Sequence, residues 1–156
     1  MRLFDILFSS LAIAVLSPLF ILVMLILRFT GQGEVFFVQN RIGRDGNTFG
    51  VLKFVTMLKD SPNMGTGTVT IQGDPRILPV GSVLRKTKIN ELPQLLNILK
   101  ADMSVIGPRP LTYASFSAYP KKTQGIIKKV RPGLSGIGSI IFRDEESIIS
   151  AVTDED

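Results

Sequence analysis

The sequence predicts a mixed α/β fold, mainly helical with a short β-hairpin. Three observations carry this: a long uncharged N-terminal run, two β-rich segments flanking an Asp-Gly turn, and a helical apolar period further on. At 156 residues the chain suits one domain plus a membrane segment. We divide it into a membrane-embedded helix over 1–30 and one continuous, membrane-apposed catalytic-type domain over 31–156.

Residues 6 to 27, "ILFSSLAIAVLSPLFILVMLIL", hold no charge between Asp5 and Arg28. As a helix they would measure about 33 Å, the thickness of a bilayer's hydrocarbon core. A cleaved signal peptide would have a shorter apolar region and small residues at its end, whereas Val, Met, Leu and Ile continue here to Arg28, so the segment is expected to be retained. Pro18 lacks an N–H and frees the carbonyl of Ala14, and the hydroxyl of Ser17 is the kind of group that satisfies a freed backbone position in lipid. Two readings stand: a spanning helix with a tolerated kink, or a helix broken at Ser17-Pro18 that returns to the face it entered. Arg2 before the run and Arg28, Arg41 and Arg44 after it favour the cytoplasmic side for both ends.

"EVFFVQNRIG" and "TFGVLKFVTML" have the β-branched and aromatic content of strands, and "RDGN" between them signals a hairpin. The stretch from Lys59 to Gly81, dense in Gly, Pro, Asp and Thr, reads as a long loop with a short strand at "TVTIQ". Leu92, Leu95, Leu96 and Leu99 then recur at i, i+3, i+4 and i+7, one face of a helix with Asn90 as its N-cap and Glu91 favouring its dipole. A further helix is expected over "YASFSAYPKKTQGIIKKV", its lysines forming a solvated face or a patch against anionic lipid.

Charge is unevenly placed. Residues 1–143 carry all 18 basic residues against seven acidic ones, a net charge of +11, and the last thirteen residues hold the other six acids. Such a body seeks phosphate-rich partners. With no His and no Cys, a Ser-His-Asp triad, a thiolate nucleophile and a Cys/His zinc site are excluded, leaving carboxylates, Lys, Arg, Tyr, hydroxyls or a hard metal. A membrane-tethered nucleic-acid binder would show a recognisable motif or interleaved surface aromatics. The ten Phe cluster instead in apolar or strand-like segments, so no nucleic-acid partner is expected.

Ser17-Pro18, "VFFVQNRIGRDG", "LKFVTM", "DPRILPVGSVLRKTKINELPQLLNILKADMSVIGPRP" and "VRPGLSGIG" together resemble the small monotopic phosphoglycosyl transferases, or bacterial sugar transferases, over nearly the whole chain. The resemblance implies a re-entrant membrane helix broken at Ser17-Pro18 and a compact cytoplasmic domain with amphipathic interfacial helices at the bacterial inner membrane. It implies transfer of a sugar 1-phosphate from a UDP-sugar to polyprenyl phosphate with Mg²⁺, the first membrane step of glycoconjugate or polysaccharide assembly; a homo-oligomer is compatible with it. Two anionic substrates need cations to offset their repulsion. Arg85 and Lys86, with Lys88, precede the helix expected near Glu91, and Arg109 stands between Pro108 and Pro110. Lys53 and Arg76 are further phosphate-binding candidates, each with an equally ordinary reading as a surface charge.

The family pattern has an Asp nucleophile followed by a Glu that helps hold Mg²⁺. Glu91 matches the second residue; Asn90 stands at the first, and Val55 stands where the family generally has a basic residue. An amide lacks the negative charge of a carboxylate and removes the covalent route. Glu91 remains a metal ligand, with Asp74 or Asp102 as a possible second. Three readings follow: direct transfer to the lipid phosphate, a silent relative that binds nucleotide-sugar or polyprenyl phosphate and regulates a partner, or a substitution introduced into an active enzyme.

Overall fold

A computed structural model describes residues 2–30, 33–64, 70 and 74–136. The acidic C-terminal tail lies outside these residues, as does the strand expected at "TVTIQ" except for Thr70.

The apolar run forms helix α1 (Arg2–Phe29). Pro18 lies inside it without interrupting it, so the expected break is corrected to a continuous helix. The physical reason is local: the Ser17 hydroxyl donates to the Ala14 carbonyl at 2.8 Å, replacing the N–H that Pro18 lacks. Both ends of α1 are tied to the rest of the chain. Arg2 donates to the carbonyls of Ile98 and Leu99, and buried Asp5 accepts from the Ser104 hydroxyl and the Val105 N–H. At the other end Val23 and Leu27 pack with Phe54 and Leu84. The docked stripe runs through Asp5, Ser9, Val23 and Leu27, while Leu3, Phe4, Leu7, Leu11, Val15, Leu22 and Leu25 point away from the domain. A helix with its polar contacts on one side and an exposed apolar side opposite is built to lie between a protein and lipid.

The hairpin forms as expected, β1 (Phe36–Ile42) pairing antiparallel with β2 (Thr48–Phe54). Asp45 (φ 60°) and Gly46 (φ 81°) are both left-handed, the conformation the Asp-Gly pair supplies. Helix α2 (Pro79–Lys86) then packs onto the segment after β2: a Cβ on Gly81 would sit 2.1 Å from the Thr56 carbonyl oxygen, so only glycine allows this approach.

The helix expected from Glu91 begins later. Ile89–Glu91 is a 3₁₀ turn, and α3 spans Gln94–Leu99 with Pro93 at its cap position. Asn90 is therefore not an N-cap. The buried residues of α3 are Gln94, Leu95, Asn97 and Ile98, not the four-leucine stripe, because α3 is short and lies between α1 and β2. Asn97 donates to the Gly50 carbonyl at 2.8 Å and accepts from the Leu52 N–H at 2.9 Å, a polar pairing that the apolar period does not report.

Strand β3 (Ser104–Ile106) precedes the single helix expected near Tyr113, which is two, α4 (Tyr113–Ser117) and α5 (Lys121–Ile127), separated at Pro120. Strand β4 (Gly133–Ser135) pairs parallel with β3, and a Cβ on Gly133 would fall 2.1 Å from the Gly107 nitrogen. That close crossing fixes the chain leading into Pro108-Arg109-Pro110. Two buried clusters close the core, Val23, Leu27, Phe54 and Leu84 in one, Val51, Leu95, Ile98 and Met103 in the other, with Phe20 packed against both. Each such side chain contributes about 1.5–3 kcal/mol by burial.

Candidate active site: a cation cluster around Glu91

Left-handed Lys88 (φ 60°) turns the chain out of α2 and into the 3₁₀ turn that carries Asn90 and Glu91. Facing this turn is β2, whose Lys53 Nζ lies 3.3 Å from Glu91 Oε1, with both side chains partly exposed. Burial pushes the Lys53 ammonium below the ordinary lysine range, the Glu91 carboxylate opposes that shift, and the guanidiniums of Arg41 and Arg109 add to it. Those two arginines are thus close enough to be felt. Arg41 donates to the Pro110 carbonyl at 3.2 Å, and the Ile42 N–H to the Leu111 carbonyl at 2.9 Å, so the end of β1 holds the Arg109 loop.

Of the sequence-predicted site residues, the structure brings together Glu91, Lys53 and Arg109, with Asn90 beside Glu91. Arg85 reaches the Thr56 hydroxyl at 3.5 Å, on the segment following β2, and Lys86 is exposed at the end of α2. Arg76 is a correction. Its buried guanidinium grips Asp74 at 2.6 Å and donates to the carbonyls of Ser61 and Met64, so it clamps the loop instead of facing substrate. The same pair removes Asp74 as a free metal ligand, and Asp102 accepts from the Asn97 amide at 3.3 Å.

Arg41 is the residue that sequence reasoning missed, having weighed it only as a charge flanking the membrane run. A signal existed. Counting back from the Asp-Gly turn gives the register Phe37↔Lys53, and the two-residue period of a strand then puts Arg41 on the same face as Lys53.

Among the described residues no three acidic side chains gather into a metal site. Glu91 is nevertheless a partly exposed carboxylate, and the buried Asn90 Oδ1 beside it finds no hydrogen-bond partner among the described residues. Two hard oxygens on consecutive residues fit Mg²⁺, which commonly takes one or two protein ligands and completes its shell with water and substrate phosphate.

A cluster of cations around one carboxylate, next to a helix with an exposed apolar side, suits phosphorylated substrates met at a membrane surface. The chain belongs to the bacterial sugar transferase family, whose model matches residues 1–155. It is similar to the exopolysaccharide production protein ExoY of Sinorhizobium fredii, 39% identical over 97% of this chain and 73% of that protein. It is also similar to the UDP-glucose:undecaprenyl-phosphate glucose-1-phosphate transferase of Escherichia coli, 37% identical over 87% of this chain and 30% of that protein. A third relative is the UDP-N-acetylgalactosamine-undecaprenyl-phosphate N-acetylgalactosaminephosphotransferase of Aeromonas hydrophila, 37% identical over 88% of this chain and 33% of that protein. The protein is thus a phosphoglycosyl transferase, and α1, the one helix among the described residues long and apolar enough to cross a membrane, fits a monotopic inner-membrane protein with its bulk in the cytoplasm.

Proposed function

We propose that this chain transfers a sugar 1-phosphate from a UDP-sugar to polyprenyl phosphate, with Arg41, Lys53 and Arg109 holding the phosphates and Glu91 and the Asn90 amide oxygen holding Mg²⁺. The observation that carries the reading is the Lys53–Glu91 pair with Arg41 and Arg109 beside it. Two of these relatives, from Aeromonas hydrophila and Escherichia coli, are named for a UDP-sugar donor and an undecaprenyl phosphate acceptor, and they differ in the sugar.

Donor diphosphate and acceptor phosphate repel each other, and fixed guanidinium and ammonium groups offset that repulsion without reorganising during the reaction. Burial lowers the Lys53 pKa and the Glu91 carboxylate beside it opposes that shift, favouring the ammonium form that a phosphate oxygen would meet. Bound Mg²⁺ would neutralise part of the phosphate charge. The Asn90 amide carries no full negative charge and does not serve as the attacking group. An oxygen of the acceptor phosphate therefore bonds to the sugar-bearing phosphorus, the bond from that phosphorus to the UMP oxygen breaks, and UMP leaves. The apolar side of α1 seats the site at the lipid surface, and the contacts at both ends of the helix hold it against the domain.

The test is UMP release from a panel of UDP-sugars with polyprenyl phosphate and Mg²⁺, run on the natural chain and on Asn90→Asp. Release by both supports direct transfer. Asn90 itself favours a second reading, a silent relative that binds donor or lipid and regulates a partner. Donor binding without release by either form would select that reading, and release by Asn90→Asp alone would mean that the chain with Asn90 lacks the nucleophile.

A further inference from the structure

A cavity of about 290 Å³ lies at the N-terminal end of α1. Arg2, Arg44 and Arg131 line it, against a single carboxylate, Asp5. Asp5 is buried and already accepts from Ser104 and the Val105 N–H, and Arg2 is engaged by the carbonyls of Ile98 and Leu99. Arg44 makes only an exposed 3.6 Å contact with Asp45, a weak tie in water. Among the described residues nothing engages the Arg131 guanidinium. Its backbone is nonetheless firmly set, since the adjoining Pro132 carbonyl accepts from the Ser104 N–H at 2.9 Å beside the close Gly107–Gly133 crossing.

The rim is apolar. Ile106 and Val130 are largely exposed there, and the first turns of α1 present Leu3, Phe4 and Leu7 outward beside it. Pro108 lines this cavity while its neighbour Arg109 belongs to the cluster around Glu91, so the two sites adjoin without being the same. Cations beneath an apolar rim at the base of a lipid-facing helix match a phosphate carried on a hydrocarbon chain: guanidinium forks take phosphate oxygens in pairs, and the rim takes the first methylenes.

We infer that the cavity formed by Arg44, Arg131 and the first turn of α1 is a second lipid-phosphate site, occupied by the headgroup of an anionic bilayer phospholipid. From the transferase reading this uses only the placement of α1 at a lipid surface. The lipid docks the N-terminal end of α1 at a fixed depth, and the acceptor lipid is the other source of the same chemistry.

The test follows thermal unfolding of the full chain in neutral detergent during titration with short-chain phosphatidylglycerol, farnesyl phosphate or inorganic phosphate. The expected result is a saturable rise in Tm with phosphatidylglycerol, its midpoint shifted about tenfold or more by Arg131→Gln, the loss of roughly one charge-assisted contact. Arg44→Gln, at an exposed position that does not endanger folding, shifts it in the same direction. Lys122→Gln, which removes the same charge from exposed α5, leaves it unchanged. Saturation by farnesyl phosphate alone would overturn the phospholipid assignment in favour of the acceptor. Equal midpoints for natural chain and both arginine variants, or equal effects of inorganic phosphate and lipid, would overturn the site. Turnover is not the readout, so failure here and failure of the transferase reading are separate results.

Discussion

Lys53 Nζ and Glu91 Oε1 meet at 3.3 Å, and this contact joins the β-hairpin to the 3₁₀ turn that carries the family's signature position. Burial works against the charge on Lys53, and the Glu91 carboxylate opposes that shift. Removing the carboxylate therefore lowers the lysine's pKa further.

The sign of the pH effect follows. Because folding lowers the Lys53 pKa beneath its ordinary 10.5, the unfolded chain binds more protons than the folded one between the lowered value and 10.5. Stability gained from this group therefore rises with pH across that window. Unfolding of natural chain and Lys53→Met from neutral pH to 10.5 should show the natural chain gaining relative to the variant. Glu91→Gln should extend the rise to lower pH, since the opposing charge is gone.

In α1 the Ser17 hydroxyl stands in for the N–H missing at Pro18. Ser17→Ala should destabilise the protein in bilayer nanodiscs by about 1 kcal/mol, as a carbonyl loses its donor. Ser17→Ala combined with Pro18→Ala should recover most of that, because the ordinary helical bond returns. The double-mutant cycle is read by thermal unfolding; a simple additive loss would mean that the hydroxyl is incidental.

Asp74→Asn leaves the Arg76 guanidinium buried beside a neutral amide and loosens its hold on Ser61 and Met64. We expect Tm to fall by several degrees and limited proteolysis to cut near residues 58–64 sooner. Replacing both partners by apolar residues should be milder than Asp74→Asn alone, as it leaves no uncompensated charge.

Much of the fold was legible because its signals are local. The uncharged run, the Asp-Gly turn and the β-branched strands each report their own conformation, and α1 and the hairpin follow from them. The start of α3 was misread because Asn90 and Glu91 look like a helix opening, yet left-handed Lys88 and the following turn tighten this stretch into 3₁₀ geometry. Asn97 is buried for a tertiary reason, its hydrogen bonds to the β2 backbone at Gly50 and Leu52, which no period along one segment encodes. At the candidate site, Glu91 and Arg109 stood out in the sequence by their chemistry, whereas Lys53 read equally well as a surface charge. Arg76 was not separable from them, because whether an arginine faces a substrate or an Asp two residues away depends on how the loop folds back.

The central claim is that Arg41, Lys53 and Arg109 form the phosphate grip of the donor site. Titration calorimetry with UDP-glucose and Mg²⁺ on the natural chain, Lys53→Met and Arg109→Ala tests it most directly. We predict that each substitution weakens donor binding by about tenfold or more, as expected for one lost charge-assisted contact, while the lysine-bearing surface of α5 can be neutralised at Lys122 without effect. Unchanged donor affinity in both Lys53→Met and Arg109→Ala would contradict the account.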